Sequence, residues 1–143
     1  MTRPKPLPDI EDPLTAPFWA MTRESRLGAQ RCGHCGALRW PPRPICPECQ
    51  TPGGEWVELR PSGTLWSFAA YYRALDPSFK EDLPYAVGLI ELDDGPRMYG
   101  KMVGDPEALV IGQRVHALFT AVAPEIALVE WERDGDAPDR AFD

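Results

Sequence analysis

Cys32-Gly33-His34-Cys35-Gly36, followed after a proline-rich interval by Cys46-Pro47-Glu48-Cys49-Gln50, decides the reading of this chain. The two Cys-x-x-Cys pairs stand ten residues apart and use all four cysteines of the sequence. Each pair can wrap one edge of a tetrahedron, so four thiolates in this pattern suit one structural Zn2+. Gly36 follows the first knuckle, where the chain turns back and a positive φ is common. Gln50 holds that place in the second knuckle, and the interval between knuckles is shorter than in the usual four-cysteine ribbon.

Other uses of the cysteines fit less well. Two disulfides need an oxidising compartment, whereas Met1-Thr2-Arg3-Pro4-Lys5-Pro6 has no apolar signal core behind it. A thioredoxin-like pair belongs on a βαβ pattern, which neither knuckle has around it. A catalytic zinc keeps an open coordination position, and four thiolates close it. His34 inside the first knuckle then reads as a solvent-facing residue rather than a ligand.

Working outward, residues 1–28 form an arm and a docking helix. The proline-rich start is extended. Thr15 is placed to cap a helix with Pro17 in its first turn and Phe18, Trp19 and Met21 on its apolar face, running about three turns to Gly28. So short a helix must dock, either on its own domain or on a partner. Residues 29–54 are the ribbon, too small to fold without metal. Residues 55–131 read as all-β. Glu55-Trp56-Val57-Glu58-Leu59 leads in. Five strands follow, near 63–72, 85–92, 98–103, 115–122 and 126–131, with a hairpin at Asp94-Gly95. Short strands without helical periodicity between them suggest a small barrel, an OB-fold first and a small sandwich second. Residues 73–84 make a connection too long for a hairpin, a length often tied to function. Residues 132–143 carry Asp134, Asp136, Asp139 and Asp143 and read as an acidic disordered tail.

Charge restricts the partners. The chain of 143 residues has a formal net charge of −7. The segment from Arg23 to Arg43 holds five arginines against Glu24, a local +4, which leaves −11 for the remainder. An acidic protein with one basic patch suits a small anionic ligand or an acidic partner better than a long polyanion, which leaves a nucleic-acid-binding ribbon and OB-fold protein as the less favoured alternative. The competing reading is that these arginines merely solvate a small ribbon with little core. No run of eighteen apolar residues exists, so no membrane span is expected, and the absence of targeting signals favours the cytoplasm.

No residue set looks catalytic. His116 lies in an alternating strand, Ser62, Ser67 and Ser78 lack a nucleophile context, and Asp93-Asp94 is most simply a turn.

The ordered series Pro17-Phe18-Trp19, Arg31 to Gly36, Pro41 to Cys49, Glu55-Trp56, Ser62 to Ser67, Leu83 to Val87 and Ile111 to Val115 resembles the rubredoxin-like zinc ribbon plus OB-fold family, long catalogued as a domain of unknown function. The resemblance covers about residues 14–122. It implies an accessory role in acyl-CoA metabolism. Such proteins are similar to small subunits that pair with thiolase-like enzymes: thiolases, hydroxymethylglutaryl-CoA synthase assemblies and steroid side-chain aldolases. Related domains accompany hotdog-fold enoyl-CoA hydratases. The catalytic residues then belong to the larger partner, in a heteromer that binds an acyl-CoA. On this reading Arg39 and Arg43 are placed to meet CoA phosphates, and Trp40 to stack on the adenine. Tyr71, Tyr72, Arg73, Phe79 and Tyr85 flank the long connection and are candidates to shape an acyl pocket. For each aromatic, ordinary core or interface packing is the competing use.

Overall fold

The structure, a computed structural model, describes residues 4–135. Most of the expected acidic tail, residues 136–143, lies outside the described residues. One helix, eight strands and two 3-10 turns follow in chain order. α1 spans Ala16–Thr22. Strands β1 (Leu27–Arg31), β2 (Leu38–Arg39) and β3 (Glu55–Leu59) form one small sheet in the order β2-β1-β3. Strands β4 (Ser62–Tyr71), β5 (Tyr85–Leu92), β6 (Arg97–Met102), β7 (Arg114–Ala123) and β8 (Ile126–Arg133) close into a barrel in the order β4-β5-β6-β8-β7. This is the expected mainly-β architecture, with a short N-terminal helix, a four-cysteine cluster and a five-stranded OB-type barrel.

The barrel strands follow from period-two patterning. In β5, Ala86, Gly88, Ile90 and Leu92 are buried while the residues between them are not, because alternate side chains face opposite sides of a sheet. Trp131, fully buried, fills the barrel interior beside Gly100. A Cβ at Gly100 would sit 2.5 Å from the indole, so this strand position must be glycine for the ring to fit. The antiparallel pairs β4·β5 and β7·β8 each run for eight partners. The parallel pair β6·β8 joins only at Lys101–Glu130 and Met102–Trp131. The barrel wall is therefore hydrogen-bonded over most of its circumference and opens between β6 and β8.

Two details differ from the sequence expectations. The helix is seven residues long rather than three turns, and Thr15 sits at its N-cap without a side-chain capping bond. It stops because Ser25 takes a left-handed turn (φ 60°) and Leu27 and Ala29 are drawn into the core as β1. Glu55–Leu59 also does not lead into the barrel. It pairs along the whole of β1, from Leu27–Leu59 to Arg31–Glu55, and so completes the ribbon sheet. The core is continuous across both sheets: Phe18, Leu27, Ala29 and Leu59 belong to the same buried cluster as Leu65, Ile90, Val115 and Trp131. Phe18 is 3% exposed. The helix thus docks on its own chain.

Candidate metal centre and the aromatic cavity

The two knuckles have the same backbone construction. Cys32 N–H donates to Ala37 O and Gly36 N–H to Cys32 O, at 2.9 and 3.0 Å. Cys46 N–H donates to Thr51 O and Gln50 N–H to Cys46 O, both at 2.9 Å. Gly36 (φ 76°) and Gln50 (φ 67°) take the same left-handed conformation, so Gln50 does what glycine does in the first knuckle. Further N–H groups aim at sulfur: those of His34 and Cys35 at Cys32 Sγ (3.3 and 3.5 Å), and that of Glu48 at Cys46 Sγ (3.4 Å). Thr51 Oγ1 lies 3.2 Å from Cys49 Sγ.

The donor set fits one zinc ion. All four sulfurs lie within 4.8 Å of one another, and the Cys32–Cys49 and Cys35–Cys46 pairs are 3.6 and 3.7 Å apart. A tetrahedron of Zn–S bonds near 2.3 Å has an edge of about 3.8 Å. Electrostatics agree. The Cys35 and His34 N–H groups hold the Cys32 thiol down at about 6. At Cys35 the Ala37 backbone pulls the same way, but burial and the neighbouring sulfurs outweigh it and push the thiol up to about 11. Four sulfurs this close cannot all ionise unaided, and a divalent cation removes that conflict. His34 is exposed and stands outside the cluster.

The remaining sequence candidates fall into three places. Arg39 is 5% exposed and works inside the ribbon. Its Nε donates to Gln30 Oε1 (2.8 Å), and one terminal nitrogen donates to Arg43 O (2.9 Å) and Gly53 O (2.7 Å). The same Gln30 oxygen accepts the Arg43 N–H at 2.8 Å, so these residues tie the second knuckle to β1. Arg39 therefore presents no exposed guanidinium to a phosphate, whereas Arg43 is exposed. Of the other arginines in the basic segment, Arg26 pairs with Glu24 and Glu58, and Arg23 with Glu125.

Tyr71, Phe79 and Tyr85 come together: Tyr71 stacks on Tyr85 at 5.0 Å, and Phe79 lies 5.8 Å from Tyr85. Phe79 rides on the 3-10 turn Pro77–Asp82, which Asp76 caps by accepting from Ser78 N and Oγ. Tyr72 and Arg73 do not join them. Tyr72 is 60% exposed and donates to Glu107, and Arg73 is exposed.

Trp40 and Phe79 instead face a cavity of about 400 Å³ at the β6·β8 opening. Its inner wall is Met98, Leu128 and Val129, and its outer wall is Phe18, Trp19, Trp40 and Phe79. The outer rings support each other, Phe18 lying 4.4 Å from Trp40 and 4.9 Å from Trp19. Lys5, Asp82 and Lys101 stand at the rim, with both ammonium groups on the Asp82 carboxylate, at 3.2 and 3.7 Å. The cavity has no contiguous signature in the sequence, because its walls come from the arm, helix, ribbon, 3-10 turn and strands β6, β7 and β8. Of its aromatic lining, Trp40 and Phe79 stand among the sequence candidates, and Phe18-Trp19 is the docking pair of the helix.

Two family models match the chain in succession, the second taking in most of β3 with the barrel. The family model described as the ChsH2 rubredoxin-like zinc ribbon domain matches residues 19–53. The one described as the ChsH2 C-terminal OB-fold domain matches residues 56–120. A probable enoyl-CoA hydratase alpha subunit of Thermomonospora curvata is 34% identical over 78% of this chain, which spans only 35% of that protein. A DUF35 domain-containing scaffold protein of Methanocaldococcus jannaschii is 30% identical over 79% of this chain and 82% of its own length. The benzoylsuccinyl-CoA thiolase subunit BbsA of Thauera aromatica is 33% identical over 73% of this chain and 72% of its own. Among solved structures, a chain of the Ltp2-ChsH2(DUF35) aldolase superposes with a TM-score of 0.78 at 30% identity, covering 90% of this chain and 98% of that one. With both halves matched in order, and with relatives of similar length sharing the whole arrangement, the chain belongs to the DUF35 family of ChsH2-type zinc ribbon and OB-fold proteins.

Proposed function

We propose that this chain is a non-catalytic accessory subunit of a thiolase-like acyl-CoA enzyme, a thiolase or an aldolase, where it aids binding of the CoA ester and stabilises the complex. The observation that carries this reading is the match to a chain of the Ltp2-ChsH2(DUF35) aldolase, over 98% of that chain's length. The relative named a thiolase subunit, matched over 72% of its length, supports the same assignment. The site chemistry agrees. A zinc held by four thiolates has no open position for a substrate.

The barrel surface also favours a partner. Leu89 on β5 lies between Ser67 and Tyr99, and Tyr99 is 71% exposed. Nearby Trp66 is 46% exposed under the Arg97 guanidinium, 3.9 Å above its ring. An aromatic sheet face of this kind fits a protein interface. In the complex, exposed Arg43 meets a CoA phosphate beside Trp40, and the location is cytoplasmic. Among the described residues no helix is long and apolar enough to cross a membrane.

A hotdog-fold hydratase partner is the second reading, favoured by the Thermomonospora relative, in which this chain matches about a third of a longer protein. A nucleic-acid role is disfavoured by the net charge of −7. The genomic neighbour separates the first two readings. Co-expression with a thiolase-fold neighbour should give a heteromer on size-exclusion chromatography. Separate elution of the two chains, or assembly with a hotdog-fold protein instead, would count against the thiolase reading.

A further inference from the structure

We infer that the cavity at the β6·β8 opening receives the apolar acyl end of the CoA ester, an inference that rests on the acyl-CoA reading above. Its volume of about 400 Å³ falls within the range of small-molecule sites, roughly 300–1,000 Å³. It has the composition such sites share: apolar and aromatic walls with a few charged groups gathered at one edge. The walls are fixed before any ligand arrives. Phe18 is in the core, its ring is braced by Trp19 and Trp40, and Met98 is 2% exposed.

The rim gives the ligand a direction. Lys5 and Lys101 share the single carboxylate of Asp82, and Lys5 Nζ also lies 5.8 Å from the Phe79 ring centre. The other acid at the rim, Glu130, accepts from Thr120 Oγ1 at 2.9 Å. With both ammonium groups on Asp82 the mouth is polar without being strongly charged, which suits a ligand whose apolar end enters and whose uncharged thioester and pantetheine arm lie across the rim, leaving the phosphates farther out. A protein partner is the less apt occupant. The hollow draws its walls from the arm, the helix, the ribbon, the 3-10 turn and three barrel strands, and a flat interface would cover it without filling it.

Calorimetric titration of the full-length, zinc-loaded chain with acetyl-, butyryl-, hexanoyl- and octanoyl-CoA, and with CoA alone, tests the assignment. Affinity should rise by about three- to fourfold for each added methylene until the cavity is full, and CoA alone should bind no better than acetyl-CoA. Two variants that fill the space, Leu128→Trp in the wall and Val122→Trp at the half-exposed rim, should each weaken octanoyl-CoA by about tenfold or more while leaving acetyl-CoA unchanged. An affinity independent of chain length overturns the proposal, and so does a chain-length dependence that survives both variants. Assembly is measured separately by size-exclusion chromatography. A heteromer with flat chain-length dependence sinks the cavity assignment and leaves the accessory-subunit reading standing. Chain-length-dependent binding without a heteromer does the reverse. Filled variants that lose assembly but keep chain-length dependence would place a partner side chain in the hollow.

Discussion

Gln50 and Arg39 show how single side chains set the ribbon. Gln50 holds φ at 67°, a region that costs a non-glycine residue about 1–2 kcal/mol. Its amide donates to Pro47 O only at a long 3.4 Å, a weak compensation. Gln50→Gly should therefore raise the melting temperature of the zinc-loaded protein. Gly36→Ala, in open space at φ 76°, should lower it by the equivalent of about 1 kcal/mol. A fall with Gln50→Gly would mean that its side chain matters more than its backbone. For the two arginines, the residues predict opposite phenotypes. Arg39→Met leaves Gln30, Arg43 and Gly53 acceptors without their donor, at about 1–3 kcal/mol for each one kept from water. Arg43→Glu should leave the melting temperature alone and weaken acyl-CoA binding about tenfold or more, sparing a pantetheine thioester. Equal loss for both thioesters would remove Arg43 from the phosphate site. The sequence made both arginines equal candidates, because adjacency in a basic segment says nothing about which guanidinium is drawn under Gly53.

Element by element, the strands were legible and the docking was not. Alternation in Tyr85–Leu92 and the Asp94-Gly95 turn placed the barrel strands to within a residue or two, since burial on one face forces that period. Cys spacing placed the knuckles. Glu55–Leu59 was assigned to the barrel because a lone strand carries no signal for its partner, and only the structure pairs it with β1. The fate of α1 was open for the same reason. Its burial makes a firm expectation: Phe18→Ala should cost about 3–5 kcal/mol and lower the unfolding midpoint of ribbon and barrel together, because the core is continuous. Loss of the ribbon signal alone would show that the two sheets unfold independently. At the barrel end, Arg114 and then Ser62 donate to Asp93 and hold its carboxyl well below the usual range. A depressed carboxylate stabilises the fold above its unfolded value, about 3.9, and loses that contribution as pH falls toward the folded one. Arg114 is half exposed, so Arg114→Ala should cost only about 1 kcal/mol at pH 7. Denaturant midpoints of the two proteins should converge below about pH 4. A gap unchanged down to pH 2 would point to packing instead of charge.

At the scale of the whole molecule, a small protein carries a closed metal centre, an exposed aromatic sheet face and an apolar hollow at the junction of its parts. The metal centre holds the ribbon, the ribbon and helix build the outer wall of the hollow, and the barrel supplies its inner wall and the face left for a partner. Nothing in that arrangement requires the chain to perform chemistry itself, and the family relationship places it beside proteins named as enzyme subunits. As the accessory subunit proposed above, the chain leaves catalysis to a thiolase-fold partner, which depends on it for binding the ester. Steady-state turnover of an acyl-CoA, measured for each purified chain and for the reconstituted pair, tests this most directly. This chain alone should show no turnover, the pair should turn over, and removal of the partner's nucleophile should abolish that turnover. Turnover by this chain alone, or a partner whose kcat/KM is unchanged by adding it, would rule out an accessory role in ester binding.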